Sequence, residues 1–145
     1  MKITHRAAAV LLSLFCAGHT IGTFSGRSLG PRADAVLESM RTVHFDFNGA
    51  DRTLGEIFLG HGLVVTVYLL GSALVAWTVA GVERERWPTV APIAWGLALA
   101  QVATACIAGR YFFAGPAVLT GLAALLLLAG NTRASLTGAT GSATR

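Results

Sequence analysis

The sequence predicts an all-α fold, a four-helix transmembrane bundle with a short amphipathic helix between spans 1 and 2. Four apolar runs carry that expectation: residues 7–24, 57–81, 89–108 and 112–130. Each approaches or exceeds the roughly 20 residues that a helix needs to cross about 30 Å of hydrocarbon. Composition agrees, since 54% of the 145 residues are hydrophobic and only 12% are charged, against about 25% charged in an average soluble domain. The net charge of +4 comes from basic residues scattered singly at span ends and in loops. They form no basic stripe with interleaved aromatics, so lipid headgroups are a simpler partner than nucleic acid.

Span 1 follows Lys2, His5 and Arg6, a layout shared with secretory signals. Its apolar run continues past Ala17 and Gly18 to Phe24, and the bulky Phe15 precedes Cys16, so an uncleaved span is the expectation. Gly18, Gly22 and Gly26 recur every fourth residue, a spacing that lets another helix backbone approach closely and marks a packing stripe. After Gly30 and Pro31, Val36, Met40 and Val43 repeat with helical spacing over residues 32–43 while Asp34, Glu38 and Arg41 lie on other faces, the pattern of a surface helix. HFDFNG then places aromatics at Phe45 and Phe47 ahead of a turn at Asn48 and Gly49.

Span 2 runs into GVERERWP, a charged turn with an interfacial tryptophan and a helix-starting Pro88. Spans 3 and 4 must reverse within AGRYFFAGP, which sets Arg110 and Tyr111 at the membrane surface. Residues 131–145 are rich in Thr, Ser, Gly and Ala and are expected to form a disordered tail behind a single domain over residues 1–130.

With four spans both termini share a side. Lys2, Arg6, Arg84, Arg86, Arg133 and Arg145 fall there, and Arg27, Arg32, Arg41, Arg52 and Arg110 fall opposite. The bias is slight and favours cytoplasmic termini. Cys16 and Cys106 both fall within spans, where cysteine behaves as a small apolar residue.

Aligning the spans by depth brings His19, His61 and Thr104 about 6 to 8 Å beneath one face. Thr20 and Thr23 adjoin that layer, Gln101 lies deeper, and Arg110, Glu56, His44 and Asp46 cap it. Polar groups are costly in hydrocarbon, so they either join helices as packing contacts or build a site. Three readings stay open. The first is hydrogen-bonded packing. In the second, His19 and His61 hold a haem iron, or a metal together with His44, Asp46 or Glu56. In the third, the layer binds a quinone or a lipid headgroup, with Tyr68 lining the pocket. The sequence names no cofactor, and no C-x-x-C or other strong metal spacing is present. Phosphate loops, a nucleophile elbow and HExxH are absent too, so a non-enzymatic role is the expectation.

GHTIG at Gly18–Gly22, MRTVHFDFNG at Met40–Gly49 and RYFFAGP at Arg110–Pro116 together resemble a family of small, uncharacterised four-span bacterial membrane proteins. The resemblance covers nearly the whole chain before the tail. It implies a four-helix membrane fold and a bacterial source, and transfers no chemistry; with four spans, the inner membrane is the expected location. His19, Thr20, Phe45, Arg110, Tyr111 and Pro116 are where the likeness is greatest. The expected role is therefore that of a structural or interaction protein, forming a homo-oligomer or assisting a larger membrane partner. The alternative is a redox or ligand-binding module using His19 and His61.

Overall fold

A computed structural model of the chain describes residues 1–26 and 28–142, with side chains through residue 137. The elements in order are α1 (Lys2–Phe24), α2 (Pro31–Thr42), β1 (His44–Phe47), β2 (Ala50–Thr53), α3 (Leu54–Gly81), a 3-10 turn (Arg84–Arg86), α4 (Trp87–Tyr111) and α5 (Ala114–Ser142). Helices α1, α3, α4 and α5 are each long and apolar enough to cross a membrane. The fold is all-helical in its spans, as the apolar runs predict, with a small two-stranded sheet added in the long connection.

By contacts the chain divides into two units, Met1–Cys16 with Leu69–Arg145, and Ala17–Tyr68. In the first unit alanines make the core. Ala8, Ala9, Ala76, Ala98 and Leu127 form one buried cluster, and Val79, Trp87, Ala94 and Ala134 form a second. Small side chains let helix backbones approach closely, the main source of packing energy where lipid is as apolar as the protein. The closest approach is at Gly130, where an added Cβ would lie 2.5 Å from Thr4 Oγ1 and 2.6 Å from His5 Cε1.

The expectation of disorder from residue 131 onward is corrected here. Helix α5 continues to Ser142, and Asn131 and Ala134 are buried. Two features of the sequence explain the extension. No proline follows Pro116 to break the helix, and burial against the rest of the unit offsets the low helix propensity of Thr, Ser and Gly. The last part of the expected tail, residues 143–145, lies outside the described residues, as does Arg27.

The second unit holds the latter part of α1, the long connection and the first part of α3. Gly30 precedes α2 with φ 103°, which its lack of a Cβ permits, and Pro31 begins the helix. No residue of α2 is buried, in keeping with a surface helix. The segment around HFDFNG is a hairpin: His44 pairs with Thr53 and Phe47 with Ala50. Its two-residue loop places Asn48 at φ 55° and Gly49 at φ 85°, both left-handed, as a type I′ turn requires. Asp46 Oδ1 accepts the Gly49 N–H at 2.6 Å. Four-residue strands are too short to show alternation, so the sequence signalled only the turn.

Candidate functional site

Four polar residues of the second unit, His19, Thr20, Thr23 and Thr66, gather around Gly62 of α3. His19 Nε2–H donates to the Gly62 carbonyl at 3.0 Å, and the hydroxyls of Thr20 and Thr66 share a hydrogen bond of 3.2 Å. Thr23 packs so closely that its Cγ2 would lie 2.9 Å from a Cβ at position 62. Glycine thus does two things here. It admits the Thr23 methyl, and it exposes a carbonyl to the imidazole of the neighbouring helix. Thr23 also returns its hydroxyl to the His19 carbonyl at 2.9 Å, and Thr66 donates to Gly62 at 3.2 Å. Each contact joins α1 to α3 or closes a turn of its own helix, the chemistry of interhelical packing.

His61 does not join this group. Its Nδ1–H donates to the Ile57 carbonyl of its own helix at 2.8 Å, and the side chain is exposed. The two histidines expected to act together therefore point to different neighbours. Tyr68 closes the unit half-buried. Thr104 and Arg110 belong to the other unit, so the layer drawn from depth divides between the two. Thr104 donates to Ala100 of its own helix at 2.8 Å, and the exposed Arg110 guanidinium lies 5.5 Å from the centre of the Tyr111 ring.

The loop candidates are engaged locally. Glu56 Oε2 accepts the Thr53 N–H at 2.9 Å while Thr53 Oγ1 accepts the Glu56 N–H at 3.1 Å. That reciprocal pair is a capping box starting α3. His44 Nδ1 meets the Asp51 carboxylate at 3.1 Å across the hairpin, and Asp46 holds the turn. In the first turn of α2, Asp34 accepts the Ser28 hydroxyl at 2.5 Å and the Leu29 N–H at 2.9 Å. The Ser28 bond first, then the Leu29 bond, hold its carboxyl below the usual value. Among the described residues no group of three or more His, Cys, Asp and Glu is placed to hold a metal ion.

Of the expected stripe, Gly18 and Gly22 lie in α1 and Gly26 follows its end. A Cβ at any of the three would meet nothing within 4 Å. Gly18 and Gly22 are exposed, so this face touches no other helix of its unit.

The first unit contains a polar cluster that the sequence reading missed. His5 and Asn131 are both 0% exposed. His5 Nε2 lies 2.9 Å from Asn131 Oδ1 in a hydrogen bond, and Asn131 Nδ2 donates to the Ala94 carbonyl at 3.0 Å. Three helices are tied by one side chain. The Trp87 ring stands edge-on to His5 at 6.5 Å, and its indole N–H donates to Ser135 at 3.3 Å. Gln101, also buried, donates to Ser72 at 3.2 Å. His5 reads in sequence as part of a charged leader and Asn131 as the first tail residue. The usable signal was the absence of a helix breaker after the apolar run. Comparison with protein-family models, with curated proteins and with solved structures finds no match to this chain.

Proposed function

We propose that this is a small multi-pass protein of the bacterial inner membrane with cytoplasmic termini, and that it acts by helix association, joining a second copy of itself through Gly18 and Gly22. One observation carries the reading. The face of α1 bearing these glycines is exposed with nothing within 4 Å of either Cβ position, while His19, Thr20 and Thr23 of the same helix are already committed to α3. A small-xxx-small face is self-complementary, because two copies can bring the same shallow groove together at van der Waals distance. The resemblance in GHTIG, MRTVHFDFNG and RYFFAGP supports the bacterial source, and Lys2, Arg6, Arg84 and Arg86 support the orientation.

Gly22→Leu tests it. The branched side chain fills open space, so folding is retained while the close approach of two α1 helices is blocked. Energy transfer between labelled copies in bilayers should fall by about tenfold in association constant, roughly 1.4 kcal/mol. Unchanged association in the variant, or a monomeric parent protein that copurifies with a larger membrane partner, would overturn the homo-oligomer.

A further inference from the structure

The end of the first unit where α1 begins holds a cleft of about 580 Å³, within the size range of small-ligand sites. Three cationic side chains and two carboxylates line it: Lys2, Arg84 and Arg133, with Glu83 and Glu85. Among the described residues none of the five forms an ion pair within 4 Å. Val82 and the buried Ala134 give the cleft an apolar side.

Its place in the fold sets its depth. Lys2 opens α1, Val82 follows the last residue of α3, Glu83 precedes the 3-10 turn and Glu85 lies in it, ahead of α4. Arg133 is on α5 just beyond the buried Asn131. Lys2, Val82, Glu83 and Glu85 lie at helix ends and Arg133 just past the apolar run of α5, the level of lipid headgroups. A second observation marks the same level. The Arg6 guanidinium sits 5.4 Å from the centre of the Trp77 ring, and that tryptophan is 53% exposed. An arginine stacked on an exposed tryptophan near a span end is the arrangement of a membrane interface.

We infer that this cleft binds a zwitterionic phospholipid headgroup carrying a primary amine, a phosphoethanolamine. Arg84 and Arg133 present forked N–H donors to the phosphate diester, with Lys2 adding charge. Glu83 and Glu85 take the ammonium, which offers three N–H donors. Val82 and Ala134 meet the glycerol end. A purely anionic lipid would leave the two carboxylates repelling it, and a choline headgroup would offer them no N–H.

The test is native mass spectrometry of the full chain, freed of lipid in detergent. Phosphatidylethanolamine, phosphatidylcholine, phosphatidylglycerol and soluble O-phosphoethanolamine are added separately at equal concentrations. Phosphatidylethanolamine should bind about tenfold tighter than each of the others. Arg84→Gln with Arg133→Gln should weaken both phosphatidylethanolamine and phosphatidylglycerol by about tenfold. Glu83→Gln with Glu85→Gln should weaken phosphatidylethanolamine and, with the repulsion gone, strengthen phosphatidylglycerol, so that the preference for the amine lipid is lost. Arg110→Gln, outside the cleft, should change nothing. All the altered side chains are exposed, and melting in lipid-free detergent checks that folding is kept. The single variants Arg133→Gln and Glu85→Gln carry the same contrast if a double variant unfolds. Equal binding of the three lipids would show an ordinary solvated face and overturn the inference. Tightest binding of phosphatidylglycerol would overturn the amine requirement, and equal binding of soluble O-phosphoethanolamine would overturn the lipid.

Discussion

Replacing Asn131 by Ala should destabilise the protein by about 1 to 3 kcal/mol. The side chain is 0% exposed and makes two hydrogen bonds, to His5 at 2.9 Å and to the Ala94 carbonyl at 3.0 Å. Interhelical hydrogen bonds in membrane proteins average about 0.6 kcal/mol and reach about 1.7, so two of them give the stated range. Reversible unfolding in mixed micelles measures it, with tryptophan fluorescence as the signal because the Trp87 ring lies 6.5 Å from His5. A cycle with His5→Ala isolates the shared bond, for which about 0.5 to 1.7 kcal/mol of coupling is expected. Ending the chain after Gly130 should cost more than Asn131→Ala. It also removes the buried Ala134 and the Ser135 hydroxyl that accepts the Trp87 indole N–H. If residues past 130 contribute no structure, the truncated chain keeps full stability and the coupling is zero. Either result would refute the argument that α5 is held by this network.

Gly130→Ala should cost about 1 to 3 kcal/mol, because its Cβ would overlap Thr4 and the His5 ring. Gly18→Ala, in open space, should instead gain up to about 1 kcal/mol from helix propensity, as unfolding in the same micelles would show. Thr53→Ala removes the Oγ1 that accepts the Glu56 N–H, leaves the backbone N–H of residue 53 to the Glu56 carboxylate, and should lower stability by about 0.5 to 2 kcal/mol, with faster amide exchange in the first turn of α3. Asp34 has a folded-state pKa below its ordinary 3.8, so its contribution is present above that value and is lost as pH falls through the lower folded value. Amide exchange at Leu29, corrected for its intrinsic pH dependence, should lose protection in that acid window and keep it at neutral pH.

How much of this was legible follows from what each signal measures. Length and hydropathy act over some twenty residues and gave four spans, and the helix at Pro31–Thr42 was readable from its period and from Gly30–Pro31. Boundaries drifted where helices run on past the apolar core, as α1 does back to Lys2 and α5 on to Ser142. Composition judged the residues after Gly130 by propensity, whereas Asn131 and Ala134 are ordered by burial that only tertiary packing supplies. The capping box is present in the sequence as Thr53 and Glu56 at the right spacing, yet the depth of Glu56 beside the histidines favours a site carboxylate over a cap until the hydrogen bonds are seen.

Depth fixes only one coordinate of a side chain on a helix; the other is the angle around the axis. Successive residues turn about 100°, so adjacent positions at one depth face different neighbours. His61 and Gly62 show the consequence. It is Gly62 that faces α1, admitting Thr23 and accepting the His19 N–H. With that face fixed, position 61 is rotated about 100° away, and His61 closes on Ile57 of its own helix instead. The glycine that permits the α1–α3 contact is therefore also what turns the second histidine aside. Gly62→Ala separates the roles: its Cβ would stand 2.9 Å from Thr23 Cγ2, so the α1–α3 contact should loosen and the His19 ring resonances should shift, while those of His61, bonded within α3, should hold. A shift of both rings together would mean that the two histidines share an environment after all, and that the angular argument fails.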